Sequence, residues 1–145
     1  MSIDGLSDHD IRDILKRVKT FAVIGASPKP ERPSNYVSRF LMDEGYAVRP
    51  VNPGIAGQSI HDEPVYAALA DVPAPIDVVD VFRTSDALPE IVEEAIAAKE
   101  KTGASIIWMQ LGVINEEAAA TARAAGFTVV MDRCPKIEIA RLMRS

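Results

Sequence analysis

Short, nearly uniform apolar segments alternate along this chain with longer segments whose apolar residues recur at helical spacing. This alternation restricts the fold more than any other feature. The apolar segments cover residues 21–24, 46–51, 76–82, 104–109 and 127–131. A strand that is apolar on both sides is typical of a parallel sheet, because helices cover both faces of such a sheet. The sequence therefore predicts an α/β protein built on a parallel sheet.

The segments between the strands are predicted to be helices. Ser7 suits the first turn of a helix over 7–18, which we expect to pack on the domain. Ile60 is expected to begin a short edge strand, and the Asn-Pro-Gly sequence at 52–54 predicts a turn. The remaining predicted helices cover residues 36–45, 65–70, 88–101, 116–125 and 137–143.

Right-handed crossovers leave few topologies for such a chain. We expect one domain over residues 1–145, with a Rossmann-like, doubly wound parallel sheet and helices on both faces. The expected strand order is 3-2-1-4-5, in which Ile60 belongs to strand three and 76–82 is strand four, while the place of 127–131 is left open. Ligands of such sheets bind beyond the carboxyl ends of the strands, where the winding direction reverses.

Polar residues, glycines and prolines follow the end of every long predicted strand. These segments cover residues 25–34, 52–54, 82–85, 110–113 and 132–136. Because the carboxyl ends of parallel strands meet at one edge of the sheet, we expect these segments to lie together. The sequence therefore predicts a functional site at that edge.

The segment after the first strand has the character of a phosphate-binding loop. Gly25 permits a tight turn and a close approach of a ligand to the backbone. Ser27 offers a hydroxyl group, and the following helix offers free N–H groups and the positive end of its dipole. Lys29 and Arg32 add positive charges that can pair with phosphate oxygens. The alternative interpretation is an exposed loop whose basic side chains point into solvent.

Two common nucleotide-binding motifs are absent from this loop. It contains neither the Gly-x-Gly-x-x-Gly of dinucleotide-binding proteins nor the Gly-Lys-Ser/Thr of a P-loop. The second strand ends in Val51-Asn52-Pro53, where dinucleotide-binding proteins usually carry an acidic residue for the ribose hydroxyls. These departures make NAD binding a weaker hypothesis and ATP hydrolysis a weaker one still.

The sequence offers no convincing catalytic centre. His9 and His61 lie apart from any nucleophile, so we expect exposed histidines without a catalytic role. Cys134 lies between Arg133 and Lys136 at the start of a helix, and it has two interpretations. It is either a reactive thiol with a lowered pKa or a small residue that packs between a strand and a helix.

Two aspartates within one predicted strand resemble a catalytic pair only superficially. Asp77 and Asp80 are an odd number of positions apart, so their side chains point to opposite faces of the sheet. We expect them to cap a helix or to form a salt bridge. Trp108 is expected in the core, and no cysteine–histidine grouping has the spacing of a metal site.

Composition excludes several classes of partner. The formal net charge is −5, which disfavours nucleic acid because phosphate neutralisation needs a concentrated basic face. No apolar segment approaches the roughly 20 residues of a membrane-spanning helix. Cys134 is the only cysteine, so no intramolecular disulfide can form and a cytoplasmic location is expected.

Several of these segments together resemble the small stand-alone CoA-binding domain proteins. The similar segments are residues 22–34, 51–53, 79–83, 108–113 and 131–136. More distantly, the arrangement is similar to the N-terminal CoA-binding domain of the succinyl-CoA synthetase alpha subunit. The resemblance implies coenzyme A as the cofactor, bound in the crevice at the strand ends.

The resemblance also implies contacts for each part of the cofactor. The pyrophosphate is expected against Gly25, Ala26, Ser27 and the start of the helix at Ser34. The adenosine is expected near Asn52, Pro53, Phe82 and Arg83. Gln110 and Gly112 match a glutamate–glycine pair that lines the synthetase site. The synthetase has a lysine soon after its Asn-Pro turn, whereas residues 54–57 here are Gly-Ile-Ala-Gly, so the 3′-phosphate contact is left to Lys29, Arg32 or Arg83.

Three hypotheses follow. The first is a binding module that holds CoA or acyl-CoA, has no catalytic activity of its own, and has a protein partner or forms a homo-oligomer. The second is an NAD(P)-binding redox or sensor domain. The third is a small acyl-CoA-handling enzyme that uses Cys134.

Overall fold

The computed structural model describes residues 3–143. Seven strands and six helices follow one another along this part of the chain: α1 (Asp8–Arg17), β1 (Thr20–Ile24), α2 (Pro33–Asp43), β2 (Ala47–Val51), β3 (Ser59–Ile60), β4 (Glu63–Pro64), β5 (Val78–Val81), α3 (Leu88–Ala97), α4 (Lys99–Thr102), β6 (Ile106–Met109), α5 (Glu116–Ala124), β7 (Thr128–Met131) and α6 (Pro135–Leu142). Single 3₁₀ turns cover Pro53–Ile55, Leu69–Asp71 and Ser85–Ala87.

The central sheet has five parallel strands in the order β2-β1-β5-β6-β7. This arrangement confirms the predicted Rossmann-like α/β class. The winding direction reverses between β1 and β5, so the expected crevice lies above these two strands. The strand over 127–131, whose place was left open, lies at the edge beside β6.

The prediction that Ile60 belongs to a third strand of this sheet is wrong. Ile60 pairs instead with Glu63 in the separate antiparallel hairpin of β3 and β4. The place beside β2 is taken by a single parallel bridge between Val51 and Tyr66. One bridge leaves β2 as the last continuous strand on that side.

The predicted helix over 65–70 is also wrong. The N–H of Tyr66 donates to the carbonyl oxygen of Pro50, and the Tyr66 carbonyl accepts from the N–H of Asn52. A residue whose backbone groups bond to a neighbouring strand cannot use them within a helix. Pairing with β2 therefore overrides the helical propensity of this alanine-rich stretch.

Prolines determine where two helices begin. α2 begins at Pro33 and α6 at Pro135, before the apolar patterns that start at 36 and 137 and close to the helix starts expected near Ser34 and Cys134. Proline is favoured in the first turn because the N–H it lacks has no partner there. α1 begins as predicted, with Ser7 forming a reciprocal capping box with Asp10.

Two apolar layers enclose the sheet. One layer contains the inward faces of α3 and α5, and the other contains those of α1, α2 and α6. Trp108 is completely buried in the second layer, which confirms its expected place in the core, and its indole Nε1 donates to the Arg133 carbonyl oxygen at 2.9 Å.

Asp77 lies at the amino-terminal edge of the sheet, opposite the edge where the predicted site residues lie. Its Oδ2 accepts from the N–H groups of Lys19 at 2.7 Å and Thr20 at 3.0 Å. It therefore joins the start of β1 to the residue preceding β5, and the expected helix cap or salt bridge is not formed. Among residues 3–143, no helix combines the length and apolar character needed to cross a membrane.

Candidate functional site

Three adjoining depressions open at the carboxyl ends of the strands, and together they contain all the predicted site residues. The first, which we call the loop hollow, has a volume of about 350 Å³. It is lined by Gly25, Ala26, Ser27, Lys29, Arg32, Pro33, Ser34, Asn52 and Phe82. Eight of the twelve predicted residues therefore meet at one place.

The other two depressions contain the remaining predicted residues. A lateral hollow of about 460 Å³ is lined by residues that include Asn52, Pro53, Arg83, Glu90 and Glu94. A larger cleft of about 930 Å³ lies between α2, α6 and the segment after β6, and it includes Gln110 and Gly112. We call this last one the apolar cleft.

The backbone amides around the loop hollow differ in their availability. The N–H groups of Gly25 and Ala26 both donate to the carbonyl oxygen of Val51, at 3.0 and 3.3 Å. By contrast, the N–H groups of Ser27 and Ser34 have no acceptor within residues 3–143. Ser34 lies in the first turn of α2, where amides lack partners inside the helix. Among the described residues that line the hollow, Ser27 and Ser34 thus offer free N–H donors.

Two asparagine side chains hold the loop in shape. Asn52 donates through Nδ2 to the Ala26 carbonyl oxygen at 2.8 Å, while its Oδ1 accepts from the N–H of Gly54. Asn35 donates through Nδ2 to the Ser27 carbonyl oxygen at 2.9 Å. Sequence reasoning assigned Asn52 to ligand contact and overlooked Asn35, whose only signal was an amide in the first turn of α2.

Two cationic side chains line the loop hollow, and no carboxylate of the described chain neutralises them. Lys29 and Arg32 are exposed, and neither forms an ion pair in the described part of the chain. Arg32 is the N-cap residue of α2, and no side chain caps this helix. An uncapped helix start flanked by free cations favours an anion.

Gly25 is required by the protein itself. Its φ is +87°, a conformation that residues with a Cβ rarely adopt. A Cβ at this position would lie 2.9 Å from the carbonyl oxygen of Phe82 and 3.0 Å from Cδ of Arg83. Gly25 therefore allows the backbone to pass close to Phe82 and Arg83, which follow β5.

Large apolar side chains dominate the apolar cleft. Tyr36 and Val37 of α2 face Ile137 of α6, with Leu111 and Val113 closing a third side. Tyr36, Leu111 and Ile137 are 44%, 56% and 51% exposed. Sequence reasoning missed this surface because the same residues fit the apolar stripe of a helix or an ordinary loop.

A buried carboxyl group lies directly behind the cleft. Asp80 is completely buried in β5, and its Oδ1 accepts a 2.7 Å hydrogen bond from Nε2 of Gln110. Its Oδ2 has no partner within residues 3–143. Burial raises the pKa of Asp80 to about 8, against a smaller lowering by Gln110. Asp80 therefore carries a proton at neutral pH, and the expected salt bridge is absent.

Cys134 has the environment of a packing residue. It is 8% exposed, and burial raises the pKa of its thiol, although the amides of Lys136 and Ile137 oppose this. Arg133 is engaged by Asp4 and Glu138 and gives the thiol no activating charge. The structure thus favours the second interpretation of this cysteine.

The histidines form no catalytic arrangement with it. His9 is exposed as expected, whereas His61 is half-buried with Nε2 3.1 Å from the Asn35 carbonyl oxygen. No group of histidine, cysteine and carboxylate side chains within residues 3–143 is placed to hold a metal ion.

Comparison with known proteins gives these features a context. Residues 19–140 match the family described as the CoA binding domain. The Bacillus subtilis (strain 168) protein YneT is 40% identical over 131 residues, which cover 90% of this chain and 93% of YneT. The structure of a hypothetical protein from Pyrococcus horikoshii OT3 is 43% identical, with a TM-score of 0.90, covering 99% of this chain and 96% of the other.

A more distant structural match extends to a larger enzyme. The dinucleotide-forming acetyl-coenzyme A synthetase 1 of Ca. Korarchaeum cryptofilum matches 79% of this chain with a TM-score of 0.66. The matched region is 26% of that chain, and the identity is 23%. At this identity the likeness concerns the fold alone.

Proposed function

This chain belongs to the CoA binding domain family, and on that premise we propose that it binds coenzyme A at the carboxyl edge of its sheet. The observation that carries the proposal is the loop hollow. Two amides without acceptors, at Ser27 and Ser34, lie beside two exposed cations, Lys29 and Arg32. We propose a cytoplasmic binding domain over residues 1–145 without catalytic activity of its own.

The pyrophosphate is the part of CoA that fits the loop hollow. Amides at a helix start and unpaired cations are the donors that phosphate oxygens use in proteins. Because Asn35 and Asn52 already fix the loop, little ordering is required when the anion binds. The amides of Gly25 and Ala26 donate to the Val51 carbonyl oxygen, so these two residues shape the loop hollow without donating to the pyrophosphate.

The flanking depressions suit the two ends of the cofactor. The adenosine would extend towards Asn52, Pro53 and Arg83, where the lateral hollow opens. The pantetheine would extend the other way, past Phe82 towards Gln110 and Gly112. Arg83 borders both depressions, and it stands with Lys29 and Arg32 as a candidate for the 3′-phosphate contact.

Neither alternative gains support from the site. An NAD-type ribose contact needs an acceptor at the end of β2, and there the Asn52 side chain is committed to Ala26 and Gly54. Acyl transfer through Cys134 needs an ionised thiol, which burial disfavours.

Calorimetric titration of the full chain with CoA, dephospho-CoA, NAD and NADP tests the proposal. We expect binding of CoA and no heat from NAD or NADP. Lys29→Ala and Arg32→Ala should each weaken CoA about 10- to 100-fold, the value of one lost charge-assisted hydrogen bond. If one of these residues or Arg83 contacts the 3′-phosphate, its removal should abolish the preference for CoA over dephospho-CoA.

Arg39→Ala is the matched control, because Arg39 is an exposed arginine of α2 that pairs with Asp43 outside the hollow. It should leave CoA affinity unchanged. Binding of NAD in the absence of CoA binding would refute the proposal.

A further inference from the structure

The apolar cleft presents a group of exposed apolar side chains next to the loop hollow. Tyr36, Leu111 and Ile137 are each about half exposed and line the same concavity. Exposed apolar side chains grouped in one depression mark a binding surface, whereas isolated ones are ordinary. The volume of about 930 Å³ falls within the range of about 300–1,000 Å³ typical of small-molecule sites.

The cleft adjoins the loop hollow. Pro33 and Phe82 line both depressions, so a ligand anchored by phosphates in the hollow can pass directly into the cleft. An extended ligand with an anionic head and an apolar tail would occupy both the loop hollow and the apolar cleft. A protein partner docked on the cleft would not need the loop hollow beside it.

One polar side chain is fixed at the buried side of the cleft. Gln110 is 6% exposed, and its amide is held by the hydrogen bond to Asp80. Its second N–H and its carbonyl oxygen remain available to a ligand. Arg83, Lys136 and Arg141 also line the cleft, whose surface is mainly apolar. An oriented amide at the buried side of such a cleft suits a ligand with one polar linkage followed by hydrocarbon.

We propose that the apolar cleft receives the hydrocarbon chain of an acyl-CoA thioester, so that the ligand class is acyl-CoA with a chain of several carbons. The inference rests on the proposed binding of CoA at the loop hollow. Lining residues from α2, α6 and the segment after β6 surround the chain, with Gln110 beside the polar linkage. No covalent step is involved, and the bound thioester leaves intact.

The test is a titration series on the full chain with CoA, acetyl-CoA, butanoyl-CoA, hexanoyl-CoA and octanoyl-CoA. Burial of a methylene contributes about 0.8 kcal/mol, so affinity should rise by up to about fourfold for each added methylene until the cleft is filled. Ile137→Gln should flatten this series, so that octanoyl-CoA loses more affinity than CoA itself.

Ile114→Gln is the matched control. Ile114 is 39% exposed and lies outside the cleft lining, so its replacement should leave the whole series unchanged. Thermal unfolding of both variants establishes that they fold.

The outcomes separate the two proposals. CoA binding with equal affinity for every chain length would overturn the acyl-chain site and leave the proposed function standing. If neither CoA nor any acyl-CoA of the series binds, both the proposed function and the acyl-chain site are wrong. If the series is flat and Ile137→Gln lowers the sedimentation mass of the native protein, the cleft is an interface between copies and the acyl-chain site is wrong.

Discussion

Nε2 of Gln110 donates a 2.7 Å hydrogen bond to Oδ1 of Asp80, and the other carboxyl oxygen of Asp80 is buried without a partner in the described part of the chain. An ionised carboxylate in this position would be left poorly solvated, so burial raises the pKa of Asp80 to about 8. The protein therefore folds around a neutral carboxylic acid in the middle of β5.

The first prediction concerns the pH dependence of stability. The pKa of Asp80 is about 8 in the folded chain and about 3.9 in an unfolded one. Between these values only the folded state holds the proton. The stabilisation of the folded state by protonated Asp80 is therefore fully present below about pH 4 and is lost as the pH rises to about 8. The free energy of unfolding should fall by up to about 1.4 kcal/mol per pH unit in this window.

Asp80→Asn tests this, because an asparagine resembles the neutral acid and cannot ionise. Urea unfolding between pH 5 and pH 9 should show that the variant gains stability relative to the wild type as pH rises. Asp13→Asn, at an exposed carboxyl of α1, is the control and should follow the wild type. Parallel curves for Asp80→Asn and the wild type would contradict the raised pKa.

The second prediction concerns Gly25. In Gly25→Ala the new Cβ meets the Phe82 carbonyl oxygen at 2.9 Å, and the positive φ adds its own cost. A strained backbone residue costs about 1–3 kcal/mol, so we expect a loss at or above the upper end of this range. CoA affinity should fall as well, because relief of the contact requires the loop to move.

Gly57→Ala separates the two costs. Gly57 has a φ of +89°, and a Cβ there would meet no atom within 4 Å. This variant should lose only the conformational part, about 1–2 kcal/mol. Equal losses in the two variants, measured by chemical denaturation, would show that the contact with Phe82 is unimportant.

The sheet could be predicted from the sequence because its strands carry their own signal. A run such as Ile106–Met109 is buried on both faces, which is typical of a parallel sheet covered by helices. The segment around Tyr66 has no such signal, since its conformation depends on the distant carbonyl of Pro50. Long-range pairing of single residues is the part of the fold that local pattern cannot reveal.

The candidate site was predictable in location and less so in detail. Strand ends meet at one edge of a parallel sheet, so Gly25, Asn52 and Gln110 were expected close together. The sequence could not show that Val51 engages the amide of Gly25 or that the Asn52 side chain is used inside the loop. Whether a polar group is free for a ligand depends on its partners in three dimensions.

The third prediction concerns Cys134. Because burial raises its pKa and limits access, iodoacetamide at pH 7.5 should label Cys134 more slowly in the folded protein than in the same chain unfolded in urea. The unfolded chain is an internal reference, since it carries this one cysteine only. Faster labelling of the folded protein would revive a reactive thiol.

The last prediction concerns Arg133, which joins the segment before α1 to the start of α6. It pairs with Asp4 at 2.8 Å and with Glu138 at 2.6 Å, and the three side chains are 10%, 0% and 7% exposed. Arg133→Met removes the cation that pairs with the completely buried Asp4 carboxylate, while Glu138 keeps its pair with Arg141 at 2.9 Å. The substitution should therefore cost about 3–5 kcal/mol in chemical denaturation. Arg17→Met, at a pair that is exposed on both sides, should cost less than about 1 kcal/mol.

A second substitution distinguishes stranded charge from lost packing. If the cost arises from the carboxylate left behind, Asp4→Asn in the Arg133→Met background should recover part of the stability, because the amide oxygen still accepts from the Met131 or Leu6 amide that Asp4 binds now. If packing of the arginine stem is responsible, the double variant should be no more stable than Arg133→Met. Recovery would therefore show that the charge of the buried Asp4 carboxylate accounts for part of the stability lost in Arg133→Met.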